Sequence, residues 1–114
     1  MVDALSDIVK SGVSAFQLGS GTTVSSASGV VDFGAVTGKN DVATVTVSAS
    51  WVTPNSLIIC SPFAVATSDH DPEDYAVENI LAYAANRVNG VSFDIIARAP
   101  NTTWGKYVIH AVGV

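Results

Sequence analysis

The residues best placed to do chemistry lie in one stretch, SDHDPEDYAVEN, at positions 68–79. Asp69, Asp71, Glu73, Asp74 and Glu78 are five of the chain's ten acids, with no Lys or Arg among them and His70 in their midst. Such a group could hold a hard cation, hold a transition metal beside an imidazole, or do general acid–base work. Asp69, Asp71 and Glu73 alternate as the first three ligands of a calcium loop do. Where that loop needs its glycine the chain has Asp74, and where it closes on a bidentate glutamate the chain has Ile80. An irregular calcium or magnesium site on Asp69, Asp71 and Glu73 stays open as an alternative. Zinc spacing is absent, because the second histidine, His110, falls in an expected strand and no cysteine is near His70. Hydrolysis by paired carboxylates needs one acid in an apolar pocket, and these acids sit in a polar stretch.

The same residues spell the start of a helix. Asp71 suits the N-cap, where a carboxylate accepts from free backbone N–H groups. Pro72 suits the first helical position, where its missing N–H costs nothing. Glu73 and Asp74 then meet the positive end of the helix dipole, worth about 0.3–1 kcal/mol each when exposed. Asp74 is three residues past the cap and can reach back to it in the manner of a capping box. A helix start does not call for Asp69 or His70. The excess of acid there reads as a solvated rim or a patch facing a cation or a basic neighbour.

Other chemistry finds little support. Cys60 is the only cysteine, so no intrachain disulfide can form, and its setting in the apolar run SLIICS reads as a buried, inert thiol. No Gly-x-Ser-x-Gly occurs. Gly19, Ser20 and Gly21 lack the strand–helix context and the lysine of a phosphate loop. Asn101, Thr102 and Thr103 match a glycosylation sequon but read as a turn. Five aromatic residues, Trp51, Trp104, Tyr75, Tyr83 and Tyr107, either pack in the core or form a sugar-binding platform. Trp104 is the one expected at the surface. Trp104, Asn101 and Tyr107 are therefore the candidate ligand-binding residues, and no catalytic residue or cofactor is expected.

These residues must be positioned mainly by strands. Residues 42–50 alternate, with Ala43, Val45, Val47 and Ala49 on one face and Thr44, Thr46, Ser48 and Ser50 on the other, as a half-buried antiparallel strand does. Residues 30–33 read as a short strand. Residues 56–61 read as a strand buried on both sides that Pro62 ends. Residues 80–88 fit a helix running on from Pro72 or a strand paired with 91–97 across Asn89 and Gly90, and the hairpin turn favours the strand. Residues 100–105 read as a turn and 106–114 as a last strand. The reading is an all-β antiparallel sandwich of six to seven short strands, with one helical turn near 72–78.

Residues 1–29 read as a separate N-terminal arm or extended segment, and 30–114 as the sandwich domain. Val2, Leu5, Ile8 and Val9 have helical spacing that Gly12 would stop. With Phe16 they are candidate interface residues. Hydrophobic residues make up 48% of the 114-residue chain and charged residues 13%, so apolar surface is left over for a subunit interface. The net charge is −5, and the five acids outside 68–79 balance the five bases. An acidic chain without a basic patch is a poor nucleic-acid binder. No apolar run has the ~18–20 residues of a membrane helix, and no basic segment precedes an apolar one as in a secretory signal.

The segments VATVTV (42–47), SLIICS (56–61), GVSFDIIA (90–97) and GKYVIHAV (105–112) together resemble the small β-sandwich tip domains of bacteriophage tail fibres, related in fold to the H-type lectins. DHDPED (69–74), AYAAN (82–86) and APNTTWG (99–105) resemble small phage virion proteins. The resemblance implies a homotrimer without enzymatic activity, located in the virion. It implies other virion proteins, a major capsid or fibre protein, as partners, and for some members a host-surface glycan. The absence of a long shaft before the sandwich shifts the expectation to a capsid decoration (cement) protein or a short fibre component, gripping the particle through its arm.

Overall fold

The structure, a computed structural model, describes residues 23–114. Alternating apolar and polar side chains give strands one buried face, and six such strands form among these residues. They are β1 (Ser25–Asp32), β2 (Asn40–Ser48), β3 (Ile58–Pro62), β4 (Leu81–Val88), β5 (Ser92–Thr103) and β6 (Lys106–Gly113). One short helix, α1 (Pro72–Val77), lies between β3 and β4. Two three-stranded sheets result, ordered β1-β6-β3 and β2-β5-β4, and every pairing is antiparallel. The architecture is the all-β sandwich that the alternation predicts.

The core lies between the sheets. Val31, Phe33, Val47, Phe93, Ile95, Tyr107 and Ile109 are among its large buried side chains. Burying an aliphatic or phenyl side chain of this size contributes about 1.5–3 kcal/mol. Small residues let the layers close: Ala43, Ala97, Ala99 and Ala111 are buried among the larger ones. At Gly29 a Cβ would lie 2.8 Å from Val47 Cγ1 and 2.9 Å from Val45 Cγ1, so β1 crosses β2 too closely for a side chain. Trp51 packs on Phe93 with centroids 5.7 Å apart, and its ring fills the space that a side chain at Gly113 would take.

Of the ambiguous residues 80–88, Leu81–Val88 form a strand, as the Asn89–Gly90 turn favours. Gly90 takes φ +69, in the region a hairpin turn requires. Several boundaries differ from expectation. β1 starts at Ser25, not residue 30, because β6 offers it a continuous ladder from Lys106 to Gly113 and backbone pairing accepts serine and glycine. The strand expected over 56–61 starts at Ile58 and is buried on one side only: Ile59 is 49% exposed. Among the described residues β3 is an edge strand of a two-layer sandwich, and no further layer lies above its outward face. Cys60 is partly buried beside the core, and burial pushes its thiol pKa up, with Arg87 pulling the other way. β5 continues through Pro100 to Thr103, and the turn shrinks to Trp104 and Gly105. The expected N-terminal element and Val2, Leu5, Ile8, Val9 and Phe16 lie outside the described residues.

Candidate functional site

The acidic stretch lies against the β5–β6 turn, and the reason is a gap in the first sheet. β3 pairs with β6 from Ile109 to Gly113, and Phe63 N–H adds one bond to the Val108 carbonyl at 2.9 Å. Pro62 ends β3 there, and among the described residues no strand flanks the first residues of β6 on that side. Backbone polar groups left unpaired away from water are costly. Side chains of the loop and helix fill the gap. Val108 N–H donates to the Tyr75 hydroxyl at 2.8 Å. Lys106 N–H donates to Asp69 Oδ2 at 2.9 Å. The Thr67 hydroxyl donates to the Lys106 carbonyl at 2.9 Å. Three side chains thus stand where a continued β3 would have placed its backbone.

The loop is pre-shaped for this task. Thr67 Oγ1 accepts from Asp69 N–H and His70 N–H, each at 3.1 Å, and Thr67 N–H donates to the His70 carbonyl at 2.9 Å. Gly105, at φ +75, is required on the other side: a Cβ there would lie 2.8 Å from Asp69 Cβ and 2.9 Å from its Oδ2. The turn is tied back to the end of β1 by Gly105 N–H to Gly34 O and Phe33 N–H to Gly105 O, both 2.8 Å.

His70 is buried beneath the loop and joins it to the β5–β6 turn. Its ring stacks on Tyr107 at 4.2 Å and leans on Trp104 at 4.8 Å. Nε2 lies 2.5 Å from the Trp104 carbonyl and Nδ1 3.1 Å from Asp74 Oδ2. Both oxygens are acceptors, so the ring donates through the nitrogen that carries its proton, and the Tyr107 hydroxyl also lies 3.4 Å from Nδ1. Asp74 Oδ2 also accepts from Asp71 N–H at 3.1 Å, the backward half of the expected capping box. The Tyr107 hydroxyl bonds Thr103 at 3.0 Å. Burial, opposed by that bond and aided by the Glu78 and Asp74 charges, pushes its pKa up. Among the described residues no buried side-chain N or O lacks a partner.

The candidate ligands therefore part company. Asp69 is engaged by Lys106 N–H, while Asp71 and Glu73 are exposed on the helix start. Among the described residues no three His, Cys, Asp or Glu side chains gather as a metal would require. Of the candidate sugar contacts, Asn101 is exposed and Trp104 half-buried against His70. Tyr107 is fully buried, so it has no surface to offer a ligand. Sequence reasoning missed Thr67, Tyr75 and Gly105 as parts of this cluster. Their signal was the early end of β3 at Pro62, which becomes a gap only once β3 is known to flank β6.

The second sheet carries a smaller cluster on its outward face. Asp94 of β5 accepts from Thr46 Oγ1 of β2 at 2.6 Å and from Asn86 Nδ2 of β4 at 2.8 Å. These bonds, Thr46 first, hold its pKa below the usual aspartate value. Asn86 takes φ +51 at the bulge between Ala85 and Val88. No family model, curated protein or solved structure matches the chain.

Proposed function

We propose that this chain is a non-enzymatic structural protein of a bacteriophage particle, a homotrimer that decorates the capsid or forms a short fibre component. The observation that carries the reading is the fate of the acidic stretch. This stretch was the sequence's main prospect for chemistry. Thr67, Asp69 and Tyr75 are engaged with the backbone of β6, and His70 with the turn that precedes it and with Asp74. The all-β sandwich agrees with the tip-domain resemblance, and the exposed apolar residues on both sheets agree with a subunit interface. Light scattering on the purified chain tests the assembly, with three chain masses expected and a stable monomer contrary to it. Mass spectrometry of purified particles tests the location: the chain should co-purify in fixed ratio to the major capsid or fibre protein.

A glycan-binding tip is the second reading, favoured by a half-exposed Trp104 close in sequence to the exposed Asn101. Glycan-array binding lost in a folded Trp104→Ala variant would support it. An array without hits would leave the structural role alone.

A further inference from the structure

We propose that the outward face of the β1-β6-β3 sheet packs against second copies of this chain around a three-fold axis. The inference rests on the trimer reading and names the surface that makes it. The register sets this face in three rows. Val30 of β1 stands beside Val108, which bonds Phe63 through its carbonyl. Ser28 and Ser61 flank His110. Ser26 and Ile59 flank Val112. Val30, Ile59 and Phe63 are 47%, 49% and 44% exposed, and the Phe63 ring lies flat on His110 at 3.9 Å. None of the nine is Asp, Glu, Lys or Arg. The first charged pair, Asp32 and Lys106, comes one row farther, at the end held by the acidic loop.

Symmetry makes this absence informative. Near a three-fold axis each side chain faces its own two copies, so a carboxylate or guanidinium there meets only like charge. The other sheet's outward face fails on that count. Its exposed Val42, Leu81 and Tyr83 are interleaved with Asp94 and Arg98, and Arg98 lies 3.9 Å from Asp41. Those charged groups already have partners within the protomer and suit solvent. The net charge of −5 equals that of the acidic stretch, so copies that meet on this face keep that charge beyond the edge of the contact. A basic partner would be drawn instead to the acidic loop, which lies beyond the edge of this face.

The test compares masses by light scattering on the full chain. Wild type should run as three chains. Ile59→Asp should fall to one chain with its circular dichroism unchanged, and Leu81→Asp on the other sheet should keep three. Ser61→Asp, at an exposed serine of the same face, decides the matter if Ile59→Asp does not fold, and should also give one chain. A wild-type monomer would sink both the trimer reading and this surface. Three chains in both Ile59→Asp and Ser61→Asp would leave the trimer standing and overturn the surface. Unchanged mass with a lowered melting temperature would show the face covered by other residues of the same chain, which also overturns it.

Discussion

Two aspartates, Asp69 and Asp94, are each held by hydrogen bonds at a sheet, yet they do different work. Asp94 sits in the middle strand of β2-β5-β4, with backbone pairing on both sides, facing Thr46 and Ala85. Its bonds to Thr46 and Asn86 lie across a ladder that is already complete. Asp69 sits beside β6 where no third strand runs, and its carboxylate takes the bond that a strand would have made. A side chain laid over a ladder adds to a structure that would stand without it. A side chain that replaces a ladder leaves a backbone group without a protein partner when it is removed. The acid-rich loop thus has a structural reason for residues that a helix start leaves unexplained.

Gly105→Ala should be the most damaging, at about 3 kcal/mol or more, since it puts a side chain in a left-handed conformation and displaces Asp69. Chemical denaturation measures it, and a cost well under 1 kcal/mol would mean that the loop does not press on the turn. Asp69→Ala should follow at about 1–1.5 kcal/mol, the value of a hydrogen bond to a charged group reduced because this one is open to solvent. Hydrogen exchange should localise the change, with faster exchange at Lys106 and little change at Ile109, which sits on the strand-paired part of β6. Tyr75→Phe removes only the acceptor for Val108 N–H, so about 0.5–1.5 kcal/mol is expected, again with faster exchange at that amide.

Asp94→Asn should have the smallest effect, and a particular pH dependence. Because the folded pKa of Asp94 is lowered, its contribution is present above the unfolded aspartate value, about 3.9, and is lost as pH falls through the folded value. The group is exposed, so solvent screens what remains. Melting curves of wild type and Asp94→Asn should differ slightly near neutral pH and converge in acid. A gap independent of pH would mean that the charge of Asp94 has no role.

Much of the architecture was legible locally. The alternation of 42–50 fixed a half-buried strand, and the same inward residues, Ala43, Val45, Val47 and Ala49, lie on the core side. Asp71 and Pro72 located the helix start, and Asn89 with Gly90 the hairpin. Side-chain period and turn chemistry act over a few residues, so sequence carries them directly. The segment 56–61 was harder, because a short apolar run does not reveal whether a second layer covers its outer face. Ile59 is exposed because the described residues form only two layers.

The role of the acidic stretch lies at the other extreme. Sequence by itself determined that Asp71, Pro72 and Asp74 begin a helix, since all three act within one turn of backbone. It could not determine what Asp69 and His70 do. Their partners, Lys106 and Trp104, are more than thirty residues away, and they come within reach only because β6 is flanked by a strand that stops at Pro62. A hydrogen bond needs its partner within about 3 Å. Which groups come that close was decided by strand order and strand length, and only the tertiary structure holds those.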